Sequence, residues 1–273
     1  MMAQLARCAL LLIAYWGLDT SCGSEKDISE EDYYKRFQNI PPAAETAKKL
    51  YKNFFGGEAR KFQKRQILGN FFDVIVVVDS SSSVSSGEFV KGLRALRDLV
   101  GKSRNDTVYA AVTYATRAKI EFNFASRFIA DEKIGAIRRT GGKTNTQAAL
   151  KLCKRMYVEA QYGARQGSFH RILIVTDGQS NIKRNETIPS AFELKLMGIE
   201  IFVIAVGEYL EGIKELVQMA SSSDAHMYRV LNMSGLVQMI KLIPDQTGRK
   251  TWIEENFGQS EGDDEESSPL GRL

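Results

Sequence analysis

From residue 71 onward, short apolar runs rich in β-branched residues alternate with segments whose apolar residues recur at helical spacing. Phe71 to Val78 is apolar throughout except for Asp73, which is typical of a strand buried on both faces of a sheet. Strands that alternate with helices are joined by right-handed crossovers into a mostly parallel sheet covered on both sides. The sequence therefore predicts an α/β fold: a doubly wound, six-stranded sheet with one antiparallel edge strand.

The periodicity also predicts the individual elements and their order in the sheet. With strands numbered along the chain, the expected order is 3-2-1-4-5-6, with strand 3 at an edge. The predicted strands are 71–78, 108–114, 119–124, 171–176, 200–206 and 227–230. The predicted helices are 88–100, 131–139, 146–162, 188–197, 211–220 and 234–243.

The first 23 residues have the composition of a secretory signal peptide. Arg7 is the only charged residue before an apolar run at 8–18, and the small residues Ser21 and Gly23 follow it. The run is shorter than the roughly 20 residues that a membrane-spanning helix needs. We expect a secreted, extracellular protein with no stable membrane span, cleaved near Gly23.

Two polar segments flank the predicted domain, which we place at residues 70–246. Residues 24–69 form a polar lead-in with helical segments, divided by Pro41-Pro42 and basic between Lys48 and Arg65. Residues 247–273 form an acidic tail that contains a run of four carboxylates at 263–266. Clustered charge and low hydrophobicity predict that the tail is disordered.

Charge and cysteine content exclude several classes of protein. A net charge of +4 on 273 residues is too small to indicate a nucleic-acid partner. Of the three cysteines, Cys8 and Cys22 lie in the predicted signal segment. Cys153 lies on the apolar face of a predicted helix, so we expect a buried free thiol and no disulfide framework.

Polar residues follow two strands that the predicted order makes neighbours. Asp79-Ser80-Ser81-Ser82-Ser83 comes directly after the first strand, and Asp177-Gly178 directly after the fourth. Ligands bind a doubly wound sheet beyond the carboxyl ends of its strands, where the strand order reverses. The two carboxylates are therefore expected to converge, with the flexible loop 141–146 beside them.

Two carboxylates among several hydroxyls are suited to a hard divalent cation. Mg²⁺ takes oxygen ligands in an octahedron at about 2.0–2.1 Å, and it usually keeps some water. Few anionic ligands leave residual positive charge on the ion, so an outside carboxylate can take a vacant or watered position. The expected cofactor is Mg²⁺, with Mn²⁺ or Ca²⁺ as alternatives.

These motifs together resemble the metal-ion-dependent adhesion site of von Willebrand factor type A domains. Asp79 to Ser83 is similar to the family's Asp-x-Ser-x-Ser element, Gly142-Lys143-Thr144 to its threonine loop, and Thr176-Asp177-Gly178 to its second aspartate. The resemblance runs from about Phe71 to Ile243. It implies metal ligation by Asp79, Ser81, Ser83, Thr144 and Asp177. Gly142, Lys143, Asn145 and Gln179 are expected to contact a protein ligand.

The resemblance implies a binding function outside the cell. We expect an adhesion module that captures a Glu or Asp of a protein ligand, such as collagen or another matrix protein, through the bound cation. One alternative is a secreted matrix-structural or polyanion-binding protein that acts through the basic segment 48–65, with a purely structural metal site. Another hypothesis is that the acidic tail docks on the metal and blocks it.

Enzyme classes find little support in the sequence. Gly142-Lys143-Thr144 lacks the earlier glycine of a phosphate-binding loop, because Ile137 stands at that position. The only histidines are His170 and His226, both expected on the edge of the sheet away from the carboxylates. Because neither can activate a serine near Asp79, we predict that the protein is not an enzyme.

Three sequons for N-glycosylation follow from the predicted secretion. They begin at Asn105, Asn185 and Asn232. Asn185 is expected on the same edge of the sheet as the metal, and Asn105 on the opposite edge.

Overall fold

A computed structural model of the chain describes residues 29–56 and 71–247. The chain divides into two compact units, 1–33 and 34–273. In the first unit, the Ser29 hydroxyl accepts a hydrogen bond from the backbone N–H of Asp32 at 3.1 Å, as expected at the start of a helix. The predicted signal segment and most of the acidic tail lie outside the described residues.

The second unit contains a six-stranded sheet in the order β3-β2-β1-β4-β5-β6. Only the pairing of β2 with β3 is antiparallel, so β3 is the antiparallel edge strand. The fold predicted from the sequence is confirmed. The strands are β1 Phe72–Asp79, β2 Val108–Tyr114, β3 Ala118–Ser126, β4 Phe169–Thr176, β5 Glu200–Val206 and β6 Met227–Val230.

Helices lie between the strands as the periodicity predicts. In the described part of the chain, three short 3-10 turns accompany them: Arg36–Gln38, Ala160–Tyr162 and Arg184–Glu186. The α-helices among the described residues are α1 Glu30–Lys35, α2 Ala43–Asn53, α3 Ser86–Gly101, α4 Arg127–Ala136, α5 Thr146–Val158, α6 Thr187–Leu196, α7 Ile213–Met219, α8 Ser223–His226 and α9 Met233–Lys241.

The core has two layers, one on each face of the sheet. Alternate residues of β1 point to opposite faces: Val74 and Val76 belong to one apolar cluster, and Ile75 and Val77 to the other. Helices α3, α4 and α9 cover the first cluster, and α5, α6 and α7 cover the second. Both faces of the central strands are therefore buried, so a binding site can form only at the ends of the strands.

Helix α2 belongs to this core, although the sequence placed it in a lead-in before the domain. Leu50 is completely buried, and Phe54 and Phe55 just after the helix are nearly so. Arg171 of β4 donates to the carbonyl oxygen of Phe54, and the Phe54 and Phe202 rings meet edge to face at 5.1 Å. A domain boundary at residue 70 therefore leaves out part of the core.

Most of the predicted helices differ from the observed ones by one or two residues at an end, and two differ by more. The helix expected at 131–139 is Arg127–Ala136. It ends before Ile137, whose backbone is extended although its side chain is buried in the core. The helix expected at 146–162 stops at Val158 and continues as a 3-10 turn, which ends at Gly163 with a φ of 84°. Glycine adopts this left-handed conformation at no steric cost.

Three further points concern Cys153, His226 and the membrane. Cys153 is a buried free thiol, as predicted. His226 is the last residue of α8, directly before β6, so it lies at the amino end of that strand. Among the described residues, no helix has both the length and the apolar character needed to cross a bilayer.

Candidate metal centre

The two predicted aspartates lie at the carboxyl ends of neighbouring parallel strands. Asp79 is the last residue of β1, and Asp177 directly follows the last residue of β4. Asp79 is buried, with 1% of its surface exposed, whereas Asp177 is half-buried. The strand order thus places both carboxylates at the point where the order of the strands reverses.

The loop after β1 folds back so that its serines bridge the two aspartates. The backbone N–H of Ser81 donates to Oδ1 of Asp79 at 2.9 Å. The hydroxyls of Ser81 and Ser83 lie 2.9 Å apart, and Ser83 donates to Oδ1 of Asp177 at 2.9 Å. Four of the five predicted metal ligands therefore form one hydrogen-bonded cluster.

The fifth predicted ligand, Thr144, is placed by its backbone. Its N–H donates to Oδ1 of Asn181 at 2.8 Å, and its carbonyl oxygen accepts from the N–H of Asn181 at 2.9 Å. Its hydroxyl makes no hydrogen bond to Asp79, Ser81, Ser83 or Asp177 within the described chain. The structure thus brings Thr144 to the same edge of the sheet, but its side chain does not join the cluster.

Glycines let the threonine loop approach the serine loop. The backbone of Gly142 exchanges two hydrogen bonds with Ser82, at 2.8 and 2.9 Å. Gly142 has a φ of 107°, and a Cβ atom there would lie 2.5 Å from Oγ1 of Thr116. Only glycine fits this position without strain, so the loop geometry depends on it.

Burial dominates the electrostatics of the two carboxylates. It raises the pKa of Asp79, although hydrogen bonds from Ser81 and Thr176 act in the opposite direction. Burial and the nearby Asp79 raise the pKa of Asp177 as well, against the hydrogen bond from Ser83. No described Lys, Arg or His forms an ion pair with either group. Two converging acids without a protein cation are electrostatically unfavourable when both are ionised.

The donor set fits a hard divalent cation. Carboxylate oxygens of Asp79 and Asp177 and hydroxyl oxygens of Ser81, Ser83 and Thr144 provide oxygen ligands of the kind that Mg²⁺ prefers. No group of three or more His, Cys, Asp or Glu forms among the described residues. The site therefore has few anionic ligands, and a divalent ion would keep part of its charge.

The four residues predicted to contact a ligand lie in the threonine loop and in the loop after β4. Lys143 is exposed, and its backbone N–H donates to Thr116 Oγ1 at 3.0 Å. Asn145 is turned inward, with its amide donating to the Thr116 carbonyl oxygen at 3.0 Å. Gln179 is half-buried, and its Oε1 is buried without a hydrogen-bond partner. Lys143 is thus available at the surface, whereas Asn145 supports the loop.

Several supporting residues were not predicted. Thr116 holds the threonine loop through hydrogen bonds from Lys143 and Asn145. Asn181 links the same loop to the loop after β4 by accepting from the N–H of Thr144. Tyr114 pairs in register with Asp79, and its hydroxyl is buried beside that aspartate without a hydrogen bond of good geometry. Of these, only the position of Tyr114 could have been predicted, because it is the last residue of the strand next to β1.

The sequons and histidines lie where the topology implies. Asn105, Asn185 and Asn232 are all exposed, and Asn232 caps α9 by accepting from the N–H of Gly235 at 2.8 Å. His170 is near the amino end of β4, where its ring stacks on Tyr157 at 4.4 Å. His226 lies 3.6 Å from the carboxylate of Glu200, the first residue of β5. Neither histidine lies at the edge that carries Asp79.

Known proteins share this sequence pattern. Collagen alpha-5(VI) chain of Homo sapiens is 29% identical over 182 residues, which is 64% of this chain and 7% of the relative. Integrin alpha-X of Mus musculus is 26% identical, over 57% of this chain and 14% of the relative. Von Willebrand factor A domain-containing protein 2 of Mus musculus is 32% identical, over 57% and 20%. The chain spans at most a fifth of the length of these relatives.

Solved structures share the fold. Proximal thread matrix protein 1 from the mussel byssus matches with a TM-score of 0.55 and 20% identity, over 63% of this chain and 44% of that one. A structure of the same protein described as having a zinc-occupied MIDAS motif gives a TM-score of 0.54 and 22% identity. The family model described as von Willebrand factor type A domain matches residues 73–242. This chain belongs to the von Willebrand factor type A domain family.

Proposed function

We propose that this chain is an extracellular binding module that captures a Glu or Asp side chain of a protein ligand through Mg²⁺ held by Asp79, Ser81, Ser83, Thr144 and Asp177. One observation carries the proposal. Two converging carboxylates, linked by serine hydroxyls, lie at the carboxyl ends of neighbouring strands, and no described Lys, Arg or His forms an ion pair with either. A divalent cation would neutralise such a cluster.

The residues of the chain have distinct roles in this mechanism. Asp79 is held by Ser81 and Thr176, so its oxygens are oriented before any metal arrives. Asp177 and Ser83 form the more exposed half of the site. A bound Mg²⁺ supplies positive charge and a coordination position that an outside carboxylate can fill. Rigid support of this kind favours binding, because little conformational freedom is lost.

Specificity would come from the loops around the cluster. Exposed Lys143 adds a positive charge beside the site. Lys183 and Arg184, in the loop after β4, are paired with Glu186 and Glu215, so Lys143 supplies the local excess of charge. This setting favours an acidic ligand and speeds its association at low salt. The relatives include a collagen chain and an integrin chain, which supports an extracellular protein-binding role. A matrix protein such as collagen is the ligand that we propose to test.

Calorimetric titration of the full chain with Mg²⁺ and Mn²⁺ tests the metal site. Asp79→Asn keeps the size of the side chain and should abolish saturable binding. Asp98→Asn, a half-buried carboxylate on α3 outside the cluster, is the matched control and should bind normally. Equal binding by wild type and Asp79→Asn would disprove metal ligation by this cluster.

Ligand capture needs a separate measurement. Triple-helical collagen peptides with and without a central Glu can be immobilised and tested with the full chain in Mg²⁺ and in EDTA. We expect binding only with Glu and only in Mg²⁺. Binding that survives EDTA, or a Glu-to-Gln change in the peptide, would refute capture through the metal even if the metal itself binds.

The alternative polyanion site in segment 48–65 receives less support. The ammonium group of Lys49 donates to the carbonyl oxygen of Met227 at 2.6 Å and lies 4.9 Å from the Tyr228 ring centroid. Burial lowers the pKa of this lysine. Lys48 and Lys52 remain exposed, while the basic residues at 60–65 lie outside the described part of the chain.

A further inference from the structure

A second concave surface lies between the ends of α3, α4 and α9. It encloses about 650 Å³, and Asp98, Gly101, Phe128 and Asp131 contribute to its walls. We call this surface the basic groove, because five cationic side chains line it: Arg94, Arg97, Lys102, Arg127 and Lys241.

Three of the five cations are held in place by the fold. Arg97 makes a bidentate pair with Asp131, at 3.0 and 2.8 Å. Arg127 donates to the Gly101 carbonyl oxygen and to Oδ1 of Asn105, each at 2.9 Å. Lys102 donates to the carbonyl oxygen of Ile243. These contacts fix the positions of the charges, so binding would not have to order them.

The other two cations have no such role. Arg94 and Lys241 are exposed, and neither forms an ion pair with another described residue. Five cations against two carboxylates leave the lining of the groove with an excess of three positive charges. Asp245 interacts electrostatically with Lys102 and Arg127, so it offsets part of this excess.

The helix ends indicate what kind of anion fits. Helix α3 ends at Gly101 and α9 ends at Lys241, so two carboxyl-terminal ends meet the groove, together with the amino-terminal end of α4 at Arg127. The partial negative charge of the first two opposes the partial positive charge of the third, so the helix ends give a single small anion little net attraction. A chain of negative groups can instead contact several of the side-chain cations at once.

We propose that the basic groove binds a linear polyanion of the sulfated-polysaccharide class. Repeated sulfate groups would pair with Arg94 and Lys241 and with the remaining donors of Lys102 and Arg127. The Phe128 ring, 67% exposed, offers an apolar face beside them. Such binding depends on counterion release, so it weakens steeply with salt.

The groove is separate from the candidate metal centre. Gly101 and Lys102 lead into β2, and Arg127 follows the antiparallel β3, so the groove lies at the edge of the sheet opposite Asp79. A polyanion could therefore bind while the metal edge is occupied. The proposal does not depend on metal ligation, and it can be tested in EDTA.

Calorimetric titration of the full chain with a heparin-derived octasaccharide in EDTA, at several salt concentrations, provides the test. We expect the double variant Arg94→Gln and Lys241→Gln to bind about tenfold more weakly. The slope of log affinity against log salt concentration should become shallower by about two. The matched control is Lys48→Gln with Lys52→Gln, which removes the same charge from the alternative basic segment. It should leave both quantities unchanged.

Four outcomes would overturn the proposal. Equal losses in the two double variants would show attraction to net charge alone, and a loss only in the control would place the site in segment 48–65. Inorganic sulfate that competes at equal sulfate concentration would show a single-anion site. If the octasaccharide binds only after the acidic run 263–266 is changed to amides, the groove's occupant is this chain's own tail.

Discussion

The Thr176 hydroxyl donates to Oδ2 of Asp79 at 2.8 Å, which ties the end of β4 to the end of β1 beneath the candidate metal centre. Both residues are almost fully buried. A buried carboxylate oxygen that loses its donor incurs the full cost of desolvation. This one hydrogen bond therefore supports the geometry of the site and the stability of the sheet together.

Thr176→Val should destabilise the protein. The change keeps the side-chain shape and removes the donor to Asp79, so we expect a loss of about 1–3 kcal/mol in the free energy of unfolding. Thr187→Val is the matched control, because the Thr187 hydroxyl is buried without a hydrogen-bond partner. Urea denaturation in EDTA measures both; equal losses would contradict the role given to Thr176.

Gly142→Ala should damage the metal centre. Its positive φ and the close approach of Thr116 leave no room for a Cβ atom, so the threonine loop must move. We expect a loss of about 1–3 kcal/mol in stability and a marked fall in Mg²⁺ affinity. Gly178→Ala, where a Cβ atom would meet nothing within 4 Å, should preserve both. Calorimetry would count against this account if the two variants bound Mg²⁺ alike.

Mg²⁺ should stabilise the folded chain against heat. A ligand that binds only the native state adds about 2.7 kcal/mol to the free energy of unfolding at a concentration one hundred times its Kd. The added stability should be lost in Asp79→Asn and on addition of EDTA. Scanning calorimetry of both proteins across a Mg²⁺ series checks this, and an equal rise in melting temperature would point to a different metal site.

Glu200→Gln should make stability less dependent on acid. Burial opposes ionisation of Glu200, but the contacts with His226 and Arg171 outweigh it and lower its pKa to about 2. Because the folded pKa lies below the ordinary value of 4.5, the ionised group stabilises the fold at neutral pH. That contribution, about 1–3 kcal/mol, falls away as the pH drops from about 4.5 to about 2.

Urea midpoints at pH 7, 4 and 2.5 measure this dependence. The difference between wild type and Glu200→Gln should be largest at pH 7 and much smaller at pH 2.5, just above the folded pKa of Glu200. Glu159→Gln removes one partner of the exposed pair with Arg155, and it should leave the midpoint unchanged at every pH. A constant difference for Glu200→Gln would show that packing, and not charge, explains its effect.

Leu50→Ala tests whether α2 is part of the domain. Leu50 is completely buried against the core, so the cavity should cost about 2–5 kcal/mol of stability. Lys48→Ala changes an exposed residue of the same helix and should have little effect. Thermal unfolding distinguishes the two; a near-neutral Leu50→Ala would mean that α2 only rests on a domain that folds without it.

The central strands were predictable from the sequence because they are buried on both faces. The bounds of β2, β5 and β6 agree with the predicted ranges, since their apolar runs stop where the sheet ends. Helix ends were less predictable. Ile137 has the spacing of a helical residue but reaches the core from an extended backbone, which periodicity alone does not distinguish.

The site was partly predictable for a related reason. Asp79 and Asp177 follow two strands whose order in the sheet can be inferred, so their convergence follows from topology. Thr116 and Asn181 act by hydrogen bonds between loops, and nothing in the sequence pairs those loops in advance. The packing of α2 was missed because a basic amphipathic helix has the same pattern whether its apolar face meets this core or another surface.

The thiol of Cys153 is unreactive in the folded chain. It is completely buried in the layer beneath α5, and burial raises its pKa, so little reactive thiolate forms. Alkylating reagents and oxidants should therefore reach its sulfur only when that layer opens. In an oxidising environment the folded state itself thus protects Cys153 from mispairing with other chains, and the rate at which it becomes labelled reports how often the core comes apart.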